Sequence, residues 1–425
     1  MKKQYLLAET FVGAGGSHLG FKQAGFKTIY VNEFDDNFIK TLVKNNPELT
    51  KEAFIDNRNI LDVDPKSILK KAGINKGDLD VMFGGVVCKG FSMAGDRSPN
   101  DERNYFYHKQ LDIVKGLMPK ISIIENVPGI INATVLAPNT PNKIKEKIDD
   151  IWQKLADFKG QKADLRKKNK ITLEFEENGE LLKQRKKIIL DEIASSGYLM
   201  PVMNDIYKIY EKMGYRVKHL VLNAAWYGAA TKRQRVVIVG VREDIKIDYQ
   251  FPMPSHYTDD LKAKCKFDGN IIDIRGLKKA VTVGNALSSI DYKNKEDIDN
   301  EPMNHDEKTV RRFKYIPQGD SITNHLDKLP SDLVISSFYS RGNTMRLSNS
   351  SPSPTLVPGH SNFPVHPTEH RSISVREAAS ITGFPNNYIF VGTHTKRCEQ
   401  VGNAVPPPLA KAVAESCINL LKKIK

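Results

Sequence analysis

The chain is poor in cysteine. Only Cys88, Cys265, Cys398 and Cys417 occur in 425 residues, and no two form a C-x-x-C pair. That spacing excludes a disulfide framework and argues against a thiolate zinc site, so each thiol must be judged singly. The ten histidines are scattered, with no H-E-x-x-H and no tight His/Asp cluster, and no metal is expected. Long apolar runs are also missing. None reaches the roughly 18 residues of a membrane span, and the opening MKKQYLLAETF lacks the apolar stretch of a secretory signal. A cytoplasmic protein without a membrane partner is the expectation.

What is present fits a folded protein: 40% hydrophobic and 27% charged residues, enough to fill a core without covalent staples. The length suggests two unequal domains. A net charge of +14 creates a field that favours polyanions, either nucleic acid or an acidic membrane surface.

Along the first 130 residues, short apolar runs (YLLAETFVG, TIYVNEF, LDVMFGG, ISIIENV) alternate with helical patterns. This is the signature of βαβ units, and the spacing predicts a doubly wound α/β sheet with ligands at the carboxyl ends of its strands. Residues 143–187 break the pattern, with 14 Lys/Arg against 9 Asp/Glu and the cluster RKKNK at 166–170. Ile144, Ile148, Ile151, Trp152, Leu155 and Phe158 are helically spaced there. Asn178-Gly179, set between alternating apolar residues, reads as a β-hairpin turn. The segment is either a solvated excursion or an auxiliary DNA contact. The α/β pattern then resumes to about residue 250. Residues 251–372 are rich in Pro, Ser, Asn, His and Gly, which implies a smaller, irregular, β-containing domain, and 373–425 returns as helix–loop–helix to complete the first domain. The expected division is therefore 1–250, 251–372 and 373–425.

The loop FVGAGGSHLGF follows a strand and opens a helix, a place for a nucleotide-like ligand. The dinucleotide fingerprint G-x-G-x-x-G fails, because His18 stands where the third glycine belongs. Glu33 ends the second strand, where a carboxylate either accepts a ribose hydroxyl pair or caps the following helix. Phe34 beside it offers a ring for an adenine. Cys88, in GGVVCKGFS after an apolar strand, reads alone as a core thiol.

Together, FVGAGGSHLGF, VNEFD, GGVVCKGFS, DERNY, IENVPG, TKRQR, VREAA and VGNAVP resemble, in order and across nearly the whole chain, the motif series of DNA (cytosine-5)-methyltransferases. The resemblance implies S-adenosylmethionine as methyl donor and double-stranded DNA as substrate, with a monomer acting and a cognate restriction endonuclease as functional counterpart. It implies that Cys88 is the nucleophile that adds to C6 of a flipped-out cytosine, since C5 is too weak a nucleophile unaided and a thiolate suits the task. Lys89 next to it could favour thiolate. Glu125 is implied as the proton donor to N3, Asn126 as an orienter of the loop, Arg233 as a contact to O2, and Arg235 as the group that holds Glu125 or the backbone. The same resemblance places Phe11, Gly13, Gly15 and Gly16 at the methionine and ribose side of the cofactor, and Glu33 on the ribose. Phe34, Ile60 and Phe106 would flank the adenine, Asn59 would meet its amine, and Asn403 would close the site.

For DNA, Ser92, Arg97 and Arg103 of the segment 89–106 would face the backbone as a closing loop. Arg341, Asn343 and Arg346 of YSRGNTMRL are candidate base readers, because Arg pairs bidentately with guanine and Asn with adenine. Arg376 and Glu377 resemble the family's structural ion pair. The chain departs from the family at five positions: Val86, Val87 and Lys89 flank Cys88 where Pro-Pro and Gln are usual, Thr231 replaces Gln, and Asn59 replaces Asp. An RNA cytosine methyltransferase and a non-catalytic DNA-binding protein are the rival readings.

Overall fold

The structure is a computed structural model that describes residues 4–86, 98–101, 105–168, 170–261, 266–335, 342–359 and 363–424. The chain runs β1 (Leu6–Thr10), α1 (Gly16–Ala24), β2 (Lys27–Asn32), α2 (Asp36–Asn45), α3 (Leu49–Glu52), β3 (Phe54–Asp56), α4 (Pro65–Ala72), β4 (Val81–Gly84), α5 (Phe106–Leu117) and β5 (Ile121–Asn126). It continues with β6 (Thr134–Leu136), α6 (Asn142–Lys167), α7 (Leu173–Ser195), β7 (Leu199–Pro201), α8 (Val202–Lys212), β8 (Tyr215–Asn223) and β9 (Gln234–Arg242). Helices α9 (Val283–Ser288), α10 (Glu307–Phe313), α11 (Val375–Thr382), α12 (His394–Asn403) and α13 (Pro407–Leu421) complete it.

Seven strands form one mixed sheet in the order β3-β2-β1-β4-β5-β9-β8. β1 pairs in parallel with both β2 and β4, and β8 runs antiparallel to β9. Strands buried on both faces carry unbroken apolar runs, as β4 and β5 do: every residue of each is buried. Strand order reverses between β1 and β4, and a crevice for a ligand opens at the carboxyl ends of such a pair.

Capping follows local chemistry. Asp35 caps α2 by accepting the Asn37 N–H, and Asp64 caps α4 ahead of Pro65 at its first position. α13 lies on α1 because Gly20 offers no side chain: a Cβ there would meet Lys411 N at 2.5 Å and the Ala410 methyl at 2.6 Å.

Chain contacts divide the molecule into two units, Met1–Gly85 with Asp112–Glu125 and Tyr215–Lys425, and Val86–Leu111 with Asn126–Gly214. The first holds the sheet. Its residues 251–372 contain short helices, two-residue strand pairs and 3-10 turns, with a small core of Phe313, Ile316, Ile322, Leu329, Leu333 and Val365.

In the second unit, β6 pairs antiparallel with β7, and between them α6 and α7 form a long helical hairpin. Leu136, Ile148, Ile151, Ile189 and Ile193 fill its base, with Trp152 and Leu155 packed alongside. The β-hairpin expected at Asn178-Gly179 is absent, and both residues lie inside α7. The missing side chain of Gly179 serves packing: a Cβ would stand 2.3 Å from the Phe158 ring, which stacks on Phe175 at 4.4 Å. Arg376 and Glu377 do not pair with each other either. Adjacent on α11, they diverge, Arg376 to Asp297 at 2.7 Å and Glu377 to Arg371 at 2.8 Å.

Candidate active site

The loop after β1 is built by backbone that side chains resist. Phe11 has φ 52°, Gly13 61° and Gly15 94°, left-handed values that suit glycine and strain phenylalanine. A Cβ on Gly15 would meet the Tyr388 hydroxyl at 2.5 Å, and one on Gly16 the Val405 carbonyl at 2.3 Å. Tyr388 fixes the loop from beneath by donating to the Ala14 carbonyl at 2.6 Å. His18 takes the place of a third glycine for a visible reason. Its Nδ1 lies 2.8 Å from Oε2 of fully buried Glu9, whose Oε1 accepts from Ser17.

Glu33 sits just past β2 with its carboxylate turned to this loop. Oε2 accepts the Gly13 N–H at 2.9 Å and Oε1 the Asp35 N–H at 3.0 Å. Burial raises its pKa above the ordinary carboxylate value, while the N–H donors oppose that shift. Helix capping at α2 belongs to Asp35 and not to Glu33. Phe34 next to it is 69% exposed, a large apolar ring facing open space. Asn59 accepts the Leu61 N–H and caps a short 3-10 turn that begins with buried Ile60. A loop with room at Gly13, a carboxylate with two oriented oxygens and an uncovered aromatic ring fit an adenosyl group. Phe106 opens α5 in the second unit, and Asn403 ends α12 with its side chain exposed.

Two strands over, β5 ends in Glu125 and Asn126, 7% and 2% exposed. Arg235 Nε meets Glu125 Oε1 at 2.6 Å. Burial pushes the Glu125 carboxyl up, and the Arg235 and Arg233 guanidinium groups pull against that rise. Asn126 donates from its amide to the Val86 carbonyl at 3.2 Å and accepts the Val127 N–H. It thereby ties the end of β5 to the residue at which the segment carrying Cys88 begins. Arg233, 5% exposed, donates to the Leu356 and Asn403 carbonyls at 3.2 Å each. Thr231 donates to the Pro354 carbonyl and bridges Ser353, so the proline-studded stretch that begins at residue 351 is stitched at its start to the β8–β9 connection. No local pattern in the sequence marked these stitches, or Tyr388 under the glycine loop.

Cys88, Lys89, Ser92, Arg97, Arg103 and Arg341 lie outside the described residues. Of the other thiols, Cys398 and Cys417 are buried, and burial pushes both well up, Cys398 to about 12. Neither is available as a thiolate. Asn343 sits half-buried in a 3-10 turn.

Arg346 is not where a base reader would be. It is 4% exposed, and all five of its donors are taken: Nε by the Ile316 carbonyl, Nη1 by those of His366 and Glu369, and Nη2 by Phe313 O and His370 Nδ1. A guanidinium so engaged has nothing left for guanine, and its role is to hold residues 313–316 against 366–370. Among the described residues no cluster of metal ligands occurs, and no helix is long and apolar enough to cross a membrane.

A doubly wound sheet with the glycine loop and Glu33 at its switch point, and the buried Glu125 carboxyl beside Arg235 at the end of β5, is the framework of the Rossmann-like methyltransferase class. The chain belongs to the C-5 cytosine-specific DNA methylases, whose family model matches residues 5–154 and 177–419. It is 26% identical over 428 residues to the type II methyltransferase M.Eco47II of Escherichia coli, covering 99% of this chain and 80% of that protein. It is 28% identical to M.NgoFVII of Neisseria gonorrhoeae, covering 96% and 85%. Among solved structures, a protein described as a DNA modification methyltransferase encoded within an E. coli prophage superposes with TM-score 0.59 at 21% identity, over 99% of this chain and all of that one. That likeness carries the fold.

Proposed function

We propose that the chain methylates C5 of a flipped-out cytosine in duplex DNA, with S-adenosylmethionine as donor and Cys88 as nucleophile. The observation that carries this reading is Glu125: a carboxyl at the end of β5, almost fully buried, raised in pKa by that burial and oriented by Arg235. A carboxyl whose pKa is raised by burial, against the pull of the guanidinium groups beside it, is more readily protonated than an ordinary one and suited to give a proton to a base docked against it.

In this reading the Cys88 thiolate adds to C6, and the electron pair moves through the ring. Glu125 protonates N3, so that charge does not build up there. Asn126, anchored on the Val86 carbonyl, fixes the backbone from which Cys88 departs. Arg233, whose charge acts on Glu125, would be the cation for O2, and its bonds to the Leu356 and Asn403 carbonyls hold its guanidinium in place. When bound, S-adenosylmethionine supplies an electrophilic methyl group. Gly13 and Glu33 would hold the ribose, Phe34 and Ile60 the adenine, with Asn59, Phe106 and Asn403 as further contacts, and the loop from Phe11 through Gly16 the methionine end. Elimination then restores the aromatic ring: water takes the C5 proton, the C6–S bond breaks with its electron pair returning to the Cys88 thiolate, and N3 gives its proton back to Glu125.

Ser92, Arg97, Arg103 and Lys89 would grip the DNA near the target base. Residues 251–372, with Asn343 and Arg341 still candidates, would choose the sequence. The protein would act as a monomer in the cytoplasm, with a cognate endonuclease cutting unmodified sites.

Transfer of labelled methyl to duplex DNA tests the reading. Glu125→Gln should lower the rate by about 10²- to 10⁴-fold while cofactor binding persists. Undiminished turnover in that variant would remove Glu125 from the mechanism, and transfer to tRNA but not duplex DNA would replace the substrate.

A further inference from the structure

The helical hairpin of α6 and α7 has no place in the chemistry above. Its outer part, residues 155–176, falls outside the stretches matched by the family model. At about 1.5 Å per residue, the 26 residues of α6 extend roughly 39 Å. The tip is built to hold its shape: Phe158 stacks on Phe175, Gly179 clears room for that pair, and Lys162 bonds Glu176 at 2.6 Å. What it holds out is charge. Residues 166–170 read RKKNK, four cations and no acid.

Part of this has a local use, since cations at the end of α6 complement the helix dipole. That does not account for Lys170, which lies beyond α6 in the turn before Thr172, the cap of α7. Nor does it neutralise the cluster. Lower on the hairpin three of the lysines are paired, Lys154 with Asp150, Lys183 with Glu180 and Lys147 with Glu192. Arg166, Lys168 and Lys170 are exposed and form no ion pair among the described residues.

We propose that this tip is a second nucleic-acid contact, a rigid basic arm that grips the phosphate backbone of duplex DNA independently of sequence. The occupant follows from complementarity of charge: a row of free cations on a stiff support, on a chain of net charge +14, fits a polyanion of regular spacing. The contact rests on the reading that the substrate is duplex DNA.

The test is binding of duplex DNA across a salt series, with the full chain and a triple variant, Arg166→Gln, Lys168→Gln and Lys170→Gln. These exposed positions leave the fold intact, which a thermal melt verifies. Each phosphate that the variant no longer neutralises should flatten the slope of log affinity against log salt by about 0.9. Three such phosphates would make the wild-type advantage shrink about sixfold for each doubling of salt. An unchanged slope would overturn the proposal, as would a variant that alters self-association and not DNA affinity. Labelled methyl transfer by the wild type is measured in parallel. Transfer with an unchanged slope sinks the arm and leaves the enzyme reading standing, and a flattened slope without transfer does the reverse.

Discussion

Replacing Arg346 by methionine keeps most of the apolar stem and deletes the guanidinium. Four backbone carbonyls then lose the guanidinium; that of Phe313 keeps the Ile316 N–H and Glu369 is exposed, so those of Ile316 and His366 are the two left without a donor in a buried setting. A buried polar group left unsatisfied costs about 1–3 kcal/mol. The two together cost about 2–6 kcal/mol, and the upper part of that range is the one typical of damaged networks. Lysine should not rescue the position, because one ammonium cannot reach acceptors arranged around a planar fork. Hydrogen exchange by mass spectrometry, peptide by peptide, is the suitable assay. Peptides covering 307–335 and 363–373 should lose protection in Arg346→Met, while those of β1, β4 and β5 keep theirs. A variant with unchanged exchange everywhere but altered choice of DNA sequence would refute the structural role and return Arg346 to the base readers.

Gly179→Ala should weaken the hairpin despite alanine's higher helix propensity, worth about 1 kcal/mol. The new methyl displaces Phe158 from its stack, an overpacking that costs about 1–3 kcal/mol, and faster exchange confined to α6 and α7 would report it. Glu33→Gln should raise the dissociation constant for S-adenosylmethionine by about 10-fold, the equivalent of about 1.4 kcal/mol, as read by calorimetry; unchanged affinity would move the ribose elsewhere. Because burial holds the folded pKa of Glu125 above its unfolded value, its contribution to stability is full below the unfolded pKa and fades as pH rises through the folded one. Melting curves of Glu125→Gln should therefore gain on the wild type as pH rises, and a gap that stays constant with pH would contradict the raised pKa.

The parallel half of the sheet was legible because strands buried on both faces must be apolar throughout, and because β1, its glycine loop and α1 follow one another without interruption. Glu33 and Glu125 were legible as carboxylates at strand ends, a position that has geometric meaning before any contact is known. What failed were inferences from adjacency. Asn178-Gly179 carries the chemistry of a turn, yet the space needed by a ring 21 residues earlier in the chain decides the matter. Arg376 and Glu377 are neighbours in sequence, but a helix turns successive side chains apart, toward Asp297 and Arg371. Arg346 shares a cationic cluster with Arg341, and nothing in the cluster says which guanidinium points inward. Thr231 stands where the family usually has glutamine. In the structure it is a buried hydroxyl that bonds the Pro354 carbonyl.

The central claim, that Cys88 attacks cytosine in DNA, is tested most directly by expressing the chain in a methylation-deficient host and mapping 5-methylcytosine across the genome. The wild type should place 5-methylcytosine in one short sequence context, and Cys88→Ala should place none. Full methylation by Cys88→Ala, or a wild-type genome without 5-methylcytosine, would contradict it.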